Sequence, residues 1–559
     1  MDYVNNILKI FLKHFSYRNF LFGIAFALLL FIKCALFNFQ LFPSGLNSHT
    51  IWRLLLINLC FSGIIASFVC ISKRIWWTIV ATFLLDLWLI GNNLYLRTYD
   101  DLLNSWCLQN IANMQGVWNS IFPFFKPIDL VYPFLSIVWT IVVILFKNIS
   151  FKRGFLGFII GILLSLCCFK MTYDDFRYSV INPFAKSYKE VSMGRKWYCM
   201  SFSPIAHLIN EIRNLISNNI SESPPIVSEE ELALFINNST ISTKSEKNLI
   251  IVLFESLEHW TINATIDTLE ITPNLNKLIN EHTTHYFLHC QPQVKQGNSS
   301  DAQLIILTGL LPIKEGAACM RFSNNVFPSI IDAARPRQSK TFIPTPSSIW
   351  NQGGMTRAYH FNELYAETIS DRTMFHIVSN EINNMKQPFI VMIITMASHS
   401  PFTSYCDSSH LNIDNNIPKT LKRYLQSVNY TDECLGLLID KITNDSILAY
   451  NTTLVITGDH TIFTNEDRIK YSNILNIEMY DYIPVIIYDK QLQQRICDSV
   501  IGQADIYPTI LHLLNCKNYY WKGVGVDLLD STNCIHENAF EISDKLIRSN
   551  YFKGFTKNR

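Results

Sequence analysis

Five apolar runs in the first 170 residues limit what this chain can become: Phe20–Phe37, Leu54–Ile71, Trp76–Leu94, Leu130–Phe146 and Phe155–Phe169. Each comes close to the roughly 20 residues that a helix needs to cross a hydrocarbon core. The first run is long, has no small-x-small cleavage pattern after it and is followed by more spans, so it reads as a span rather than a removed leader. The connectors carry the orientation. Lys9, Lys13 and Arg18, then Ser72–Arg74, then Lys147–Arg153 are basic, and the positive-inside rule puts all three groups on the cytoplasmic side. Five spans from a cytoplasmic N-terminus export everything after about residue 170. Asp86 falls inside the third run. An acid there is costly, which makes it either a functional group or the partner of a neighbouring helix, and the second reading is preferred.

Charged residues make up 16% of the chain, below the roughly 25% usual in soluble domains. The deficit lies in the apolar runs. A net charge of +1 gives no footprint for a nucleic-acid partner. Fourteen cysteines form no CxxC pair or zinc-ribbon spacing. Those within the runs read as small packing residues. Eight lie beyond residue 190 in an expected oxidising compartment, Cys516 with Cys534 being one candidate pair.

Residues 171–246 read as a juxtamembrane stretch and helical linker. The segment between runs three and four reads as an interfacial element or an ordered loop. From Asn248 the texture changes. "NLIIVLFES", "PFIVMIITMASHS", "NTTLVITGDH" and "DYIPVIIYD" are short Ile- and Val-rich runs, separated by helical patterns. Such runs suit parallel strands covered on both faces, and the alternation predicts an α/β layered domain.

Polar residues fall where these strands end. Glu255 follows "LIIVLF", His399 follows "FIVMIITMAS", and Asp459 and His460 follow "LVITG". In open α/β sheets the ligand crevice lies beyond the carboxyl ends of the strands, so three strands aim these groups at one rim. Two carboxylates and an imidazole, with one hydroxyl, would make a four-ligand site suited to Mn²⁺, Zn²⁺ or Mg²⁺. The hydroxyl comes from "KQGNSSDAQLIILTGLLP", where serines precede an apolar helix. A serine there is ordinarily a cap. Next to a metal it is also a usable nucleophile, and free amides at a helix start hold phosphate.

The segments "NLIIVLFESLEHW", "TPNLNKLINE", "QGNSSDAQ", "MASHSPF", "YTDECLGLLIDKI", "VITGDH" and "ADIYPTIL" occur in this order. Together they resemble the extracellular domain of lipoteichoic acid synthases and related membrane phosphoglycerol transferases, within the alkaline phosphatase and sulfatase superfamily. The resemblance implies a multi-pass helical domain over 1–170, the linker over 171–246 and an exported sulfatase-like catalytic domain over 247–545 with a mainly parallel central sheet. It implies a bacterial inner-membrane protein whose catalytic domain is extracytoplasmic. It also implies that Glu255, Ser299, Asp459 and His460 hold one divalent metal, most often Mn²⁺. The family nucleophile is a Thr; Ser299 stands in its place. His399 falls on a substrate-binding histidine, and Arg372 in "ETISDRTMF" is the best match for an arginine that grips phosphate. The family's Trp two residues earlier is Ser370 here, and the interval from His360 is longer, so the head-group pocket is not fixed by the resemblance.

The implied activity is transfer of a phosphoglycerol head-group from a membrane phospholipid to an envelope glycan or glycolipid through a covalent Ser299 intermediate. Phosphoethanolamine transfer is the alternative, with His410 the one nearby match for that group's extra histidines. Sulfatases need a Cys/Ser-x-Pro-x-Arg pattern, and "SSDAQ" has neither the Pro nor the Arg. A catalytically dead envelope-binding protein would not keep the whole ligand set.

Overall fold

The computed structural model describes residues 17–41, 48–99, 101–105, 107, 124–146, 154–176, 194–218, 224–237, 246–266, 268–334, 338–403, 405–406, 411–413, 417–530 and 538–553. Lys9, Lys13, the basic connector 147–153, most of the segment between the third and fourth runs, His410 and Cys534 lie outside them. The pairing of Cys516 with Cys534 therefore remains an expectation. The chain forms two compact units that divide near residue 222.

The N-terminal unit turns every apolar run into a helix: α1 (Tyr17–Leu41), α2 (Ser48–Ile71), α3 (Trp77–Tyr99), α4 (Val131–Leu145) and α5 (Phe155–Phe176). Helices satisfy their own backbone groups, which hydrocarbon cannot do. Among the described residues four stretches are long and apolar enough to cross a membrane: Tyr17–Leu41, Ile51–Ile71, Trp77–Arg97 and Pro127–Leu145. The fifth helix contributes a shorter apolar stretch, Phe155–Lys170. Close approach of α2 and α5 uses small residues. A side chain at Gly63 would overlap Ser165, and one at Gly161 would overlap Ser67. Two further helices, α6 (Gly194–Phe202) and α7 (Pro204–Asn218), complete the unit.

Asp86 is resolved in favour of pairing. Lys33 Nζ donates to Asp86 Oδ1 at 2.5 Å, to Thr82 Oγ1 at 2.6 Å and to Ser136 Oγ at 2.5 Å. Ser136 Oγ donates in turn to Asp86 Oδ2. All four side chains are buried. The three donors of the ammonium are all used, and the pair ties α1, α3 and α4 together. A second pair joins Arg97 to Asp129 through two bonds of 2.6 and 2.9 Å.

The C-terminal unit is built on an eight-stranded sheet. Its strands and principal helices are β1 (Asn248–Phe254), α8 (Pro273–Ile279), β2 (Thr284–Gln291), α9 (Ser299–Thr308), β3 (Gln338–Ile343), β4 (Glu363–Ala366), α10 (Asp371–Asn384), β5 (Phe389–Ile394), α11 (Lys419–Asn444), β6 (Thr452–Gly458), α12 (Asn465–Leu475), β7 (Ile483–Tyr488), β8 (Arg495–Gly502) and α13 (Ile506–Leu513). The strand order is β8-β2-β7-β6-β1-β5-β3-β4. Only β7 runs against the rest. β1 sits in the middle, paired in parallel with β5 on one side and β6 on the other. All seven of its residues are buried. Leu249, Ile251 and Leu253 join the core on one face, while Ile250, Val252 and Phe254 join the core on the other. A strand covered on both faces must be apolar throughout, which is why "NLIIVLF" has no polar alternation.

Residues 224–237, read from sequence as linker, pack on this unit. Ser228 and Glu231 form a capping box, Phe235 stacks on Trp521 at 5.3 Å, and Asn237 N donates to the Tyr520 carbonyl. The apolar residues of "EEELALF" find their partners here rather than in solvent.

Candidate metal centre and nucleophile loop

Because β6, β1 and β5 are adjacent and parallel, their carboxyl ends lie side by side on one rim of the sheet. Glu255 leaves β1 there, Asp459 and His460 leave β6, and His399 follows β5. One ligand atom from each of Glu255, Asp459 and His460 lies within 4.8 Å of the other two. His460 Nε2 is 3.7 Å from Glu255 Oε1 and 3.4 Å from Asp459 Oδ2. Ser256 has φ 53, a left-handed conformation uncommon for a residue with a side chain. That turn aims its amide at Asp459 Oδ1, 2.7 Å away. Gly458 is required in turn, since a side chain there would overlap the Leu257 carbonyl.

Ser299, the first residue of α9, joins the cluster. Its Oγ donates to Glu255 Oε2 at 3.1 Å. The preceding loop wraps around Asp301, whose Oδ2 accepts from Lys295 N at 3.0 Å and Gly297 N at 2.9 Å. A side chain at Gly297 would overlap that carboxylate. Burial pushes the Asp301 carboxyl up to about 7. Ser300 Oγ turns back to donate to the Gly297 carbonyl. The three polar residues of "SSD" thus face three ways, and Ser299 alone of them faces the cluster.

The free amides expected at the start of α9 are largely used. Ser300 N donates to Gly297 O, and Asp301 N and Ala302 N donate to Asn298 O. The tight turn at Asn298, with φ 43, brings those carbonyls under the helix. The amides of Ser300, Asp301 and Ala302 are thus occupied within the chain.

The donor set fits a divalent cation. Asp459 Oδ2 is buried and accepts no hydrogen bond. Burial, and then the Asp459 charge beside it, hold the Glu255 carboxyl well above the usual carboxylate range. His460 Nδ1 lies 3.0 Å from the Thr461 carbonyl, so that nitrogen carries a proton and Nε2 faces the two carboxylates. Nε2 and the two carboxylates thus converge on one point as a mixed nitrogen and oxygen donor set, which suits a divalent cation.

His399 is half-buried near His460 and Asp459, and its pKa is lowered mainly by loss of water. Its Nδ1 sits 2.8 Å from the Ser400 carbonyl, leaving Nε2 available. Arg372 is elsewhere engaged. Its guanidinium lies over the Tyr430 ring at 5.1 Å and pairs with Glu433 at 3.3 Å. The structure brings together Glu255, Ser299, Asp459, His460 and His399, and turns Arg372 toward α11.

Several residues that fix this arrangement escaped the sequence reading. Asp371, next to Arg372, is buried and accepts from the amides of Met396 at 3.0 and 3.2 Å and Ala397 at 2.9 Å, in the turn that leads to His399. Thr431 Oγ1 donates to the same carboxylate. Glu258 accepts from Ile462 N at 2.8 Å and Phe463 N at 3.2 Å, pinning the segment after His460. Arg468 faces Glu258 across 3.5 Å and Asp481 across 2.8 Å. Gln503 Nε2 donates to the Asp459 carbonyl. An acid in the first turn of a helix reads as a cap, which hides such roles in sequence.

Comparison with known proteins now adds to this geometry. The profile of the lipoteichoic acid synthase N-terminal domain matches residues 4–189, and that of the sulfatase family matches residues 247–516. The chain resembles the lipoteichoic acid synthases in both of its domains. It is 22% identical over 501 residues to the lipoteichoic acid synthase of Staphylococcus saprophyticus, covering 82% of this chain and 75% of that protein. Lipoteichoic acid synthase 2 of Bacillus subtilis is 25% identical over 483 residues, covering 80% of this chain and 73% of that one. The fold is shared with an integral membrane lipooligosaccharide phosphoethanolamine transferase A from Neisseria meningitidis, with a TM-score of 0.52, 12% identity and coverage of 90% of this chain and 97% of that one. The chain is a membrane-anchored phosphotransferase of the alkaline phosphatase superfamily.

Proposed function

We propose that this protein moves a phosphoglycerol head-group from a phospholipid such as phosphatidylglycerol to a hydroxyl of an envelope glycan or glycolipid, on the extracytoplasmic side of a bacterial inner membrane. The observation that carries the reading is the Ser299 hydroxyl donating into the Glu255, Asp459 and His460 cluster. A divalent cation held by Glu255, Ser299, Asp459 and His460, with Mn²⁺ ahead of Zn²⁺ or Mg²⁺ by family resemblance, supplies a Lewis acid that eases loss of the hydroxyl proton and balances phosphate charge.

The chain's own groups do the rest. Ser299 Oγ is already directed at Glu255 Oε2, so its proton has an acceptor. The oxygen forms a bond to phosphorus, the phosphorus–oxygen bond to the lipid breaks, and diacylglycerol leaves after taking up a proton. His399, protonated once the phosphate's charge is beside it, would donate its Nε2–H to a phosphate oxygen. Arg372 is the second candidate for that contact, in a conformation that breaks its Glu433 pair. An acceptor hydroxyl then attacks the phosphorus, the bond from phosphorus to Ser299 Oγ breaks, and the proton that the acceptor loses returns to Ser299.

A phosphoethanolamine donor would pass through the same steps. The two readings separate when full-length protein in vesicles is given head-group-labelled phosphatidylglycerol or phosphatidylethanolamine. Diacylglycerol release from the first lipid alone is expected. Release from the second alone would replace the phosphoglycerol reading, and release from neither would overturn both.

A further inference from the structure

Helix α7 is amphipathic with its polarity reversed. His207, Asn210 and Glu211 are buried, at 0%, 6% and 4% exposure. On the opposite stripe Ile209, Ile212 and Ile216 are 50%, 49% and 61% exposed. The spacing i, i+3, i+7 makes these isoleucines one continuous face. A helix on a water-soluble unit shows the opposite pattern, apolar in and polar out.

The inward polar face is occupied. Glu211 Oε2 accepts from Ser105 N at 2.6 Å, and the His207 ring lies 5.1 Å from that of Trp88. Trp88 Nε1 donates to the Pro204 carbonyl at 3.2 Å, so α7 begins beside the middle of α3. Nine residues separate Trp88 from Arg97, roughly 14 Å along the helix at 1.5 Å per residue. Just before α7, Cys199 and Ser203 are buried, with Cys199 Sγ 3.9 Å from Asn38 Oδ1 on α1. The first turns of α7 thus share a layer with membrane-crossing helices. In that layer α3 turns Leu84 and Leu87 outward, at 58% and 71% exposure. Arg213 is the one cation on the isoleucine stripe, and a long side chain there can reach the interface while its stem stays in hydrocarbon.

We infer that α7 is a half-helix set in one leaflet, with Ile209, Ile212 and Ile216 against lipid acyl chains, so that the membrane-embedded part of the chain extends well beyond the fifth apolar run. The occupant of the stripe is bilayer lipid. The case rests on the continuity of the stripe with the lipid-facing surface of α3 and on the polar side chains turned inward.

Full-length protein in nanodiscs that contain phosphatidylcholine with a diazirine on its acyl chain tests this. After irradiation and peptide mapping, adducts are expected on Ile209, Ile212 and Ile216 at a yield comparable to that on Leu84 and Leu87. They should be absent from Ile447 and Ile469, exposed apolar residues of the C-terminal unit. Hydroxyl-radical footprinting on the same sample should spare the three isoleucines. Their oxidation without lipid adducts would overturn the inference in favour of water. Cross-links between two copies through this stripe, with no lipid adducts, would overturn it in favour of a dimer.

Discussion

Removing the carboxylate of Asp371 should misplace His399 without touching the metal ligands. Asp371 is fully buried, and Asp371→Ala strips acceptors from the buried Ala397 amide, the half-buried Met396 amide and the Thr431 hydroxyl. A buried donor left without a partner costs about 1–3 kcal/mol, and the half-buried amide recovers part of its loss from water. The two fully buried donors alone sum to roughly 2–6 kcal/mol if the turn holds its shape. The turn can lower that cost by shifting, which carries His399 with it. A displacement of about 1 Å in a positioning group can cost on the order of a hundredfold in rate. Asp371→Asn keeps one acceptor oxygen and should fall between wild type and Asp371→Ala. The assay is diacylglycerol release from phosphatidylglycerol vesicles by full-length protein, with kcat and KM separated, alongside denaturant unfolding and metal content by mass spectrometry. The expected pattern is a lower kcat, lower stability and unchanged metal. Wild-type kinetics with wild-type stability in Asp371→Ala would refute the reasoning.

Three other outcomes follow from the structure. Glu255→Ala, Asp459→Ala and His460→Ala should each lose the metal while the C-terminal unit still unfolds cooperatively, and full metal occupancy in these variants would contradict the ligand set. Lys33→Met should strand Asp86 and cost about 3–5 kcal/mol, whereas Lys33→Met with Asp86→Leu should regain most of it; equal thermal stability of the two variants in detergent would show that the pair is not buried as described. Asp432 accepts from the amides of Asn274 and Leu275 at the start of α8, and burial pushes its carboxyl up to about 6. A raised folded pKa gives stability that is complete below about pH 4 and lost as pH rises through about 6, worth roughly 3 kcal/mol, so Asp432→Asn should flatten urea-unfolding stability across that window, and an unchanged slope would count against it.

How far the sequence reached depended on whether a signal was local. Apolar runs mark their own helices and strands, so α1 to α5 and the strands β1, β5, β6 and β7 could be read directly. Strand ends can also be read, so the sequence alone puts Glu255, His399, Asp459 and His460 on one rim. Partnership across long separations could not. Lys33 lies in an apolar run 53 residues from Asp86, and nothing near either residue names the other. Residues 224–237 look like linker because Ser- and Asn-rich stretches flank them, yet Phe235 meets Trp521 far along the chain. Arg372 and Asp371 show the limit most clearly. Sequence favours the cation as the phosphate ligand, while in the fold its acidic neighbour holds the His399 turn and the cation faces Glu433.

Covalent chemistry at Ser299 is the centre of the account, and the mass of a trapped adduct tests it most directly. Full-length protein is incubated with phosphatidylglycerol vesicles in the absence of acceptor, quenched in acid, and mapped through the tryptic peptide Gln296–Lys314. The account predicts a phosphoglycerol increment on Ser299, lost in Ser299→Ala, retained in Ser300→Ala and partly retained in Ser299→Thr. An increment on Ser300, or diacylglycerol release that survives in Ser299→Ala, would contradict it.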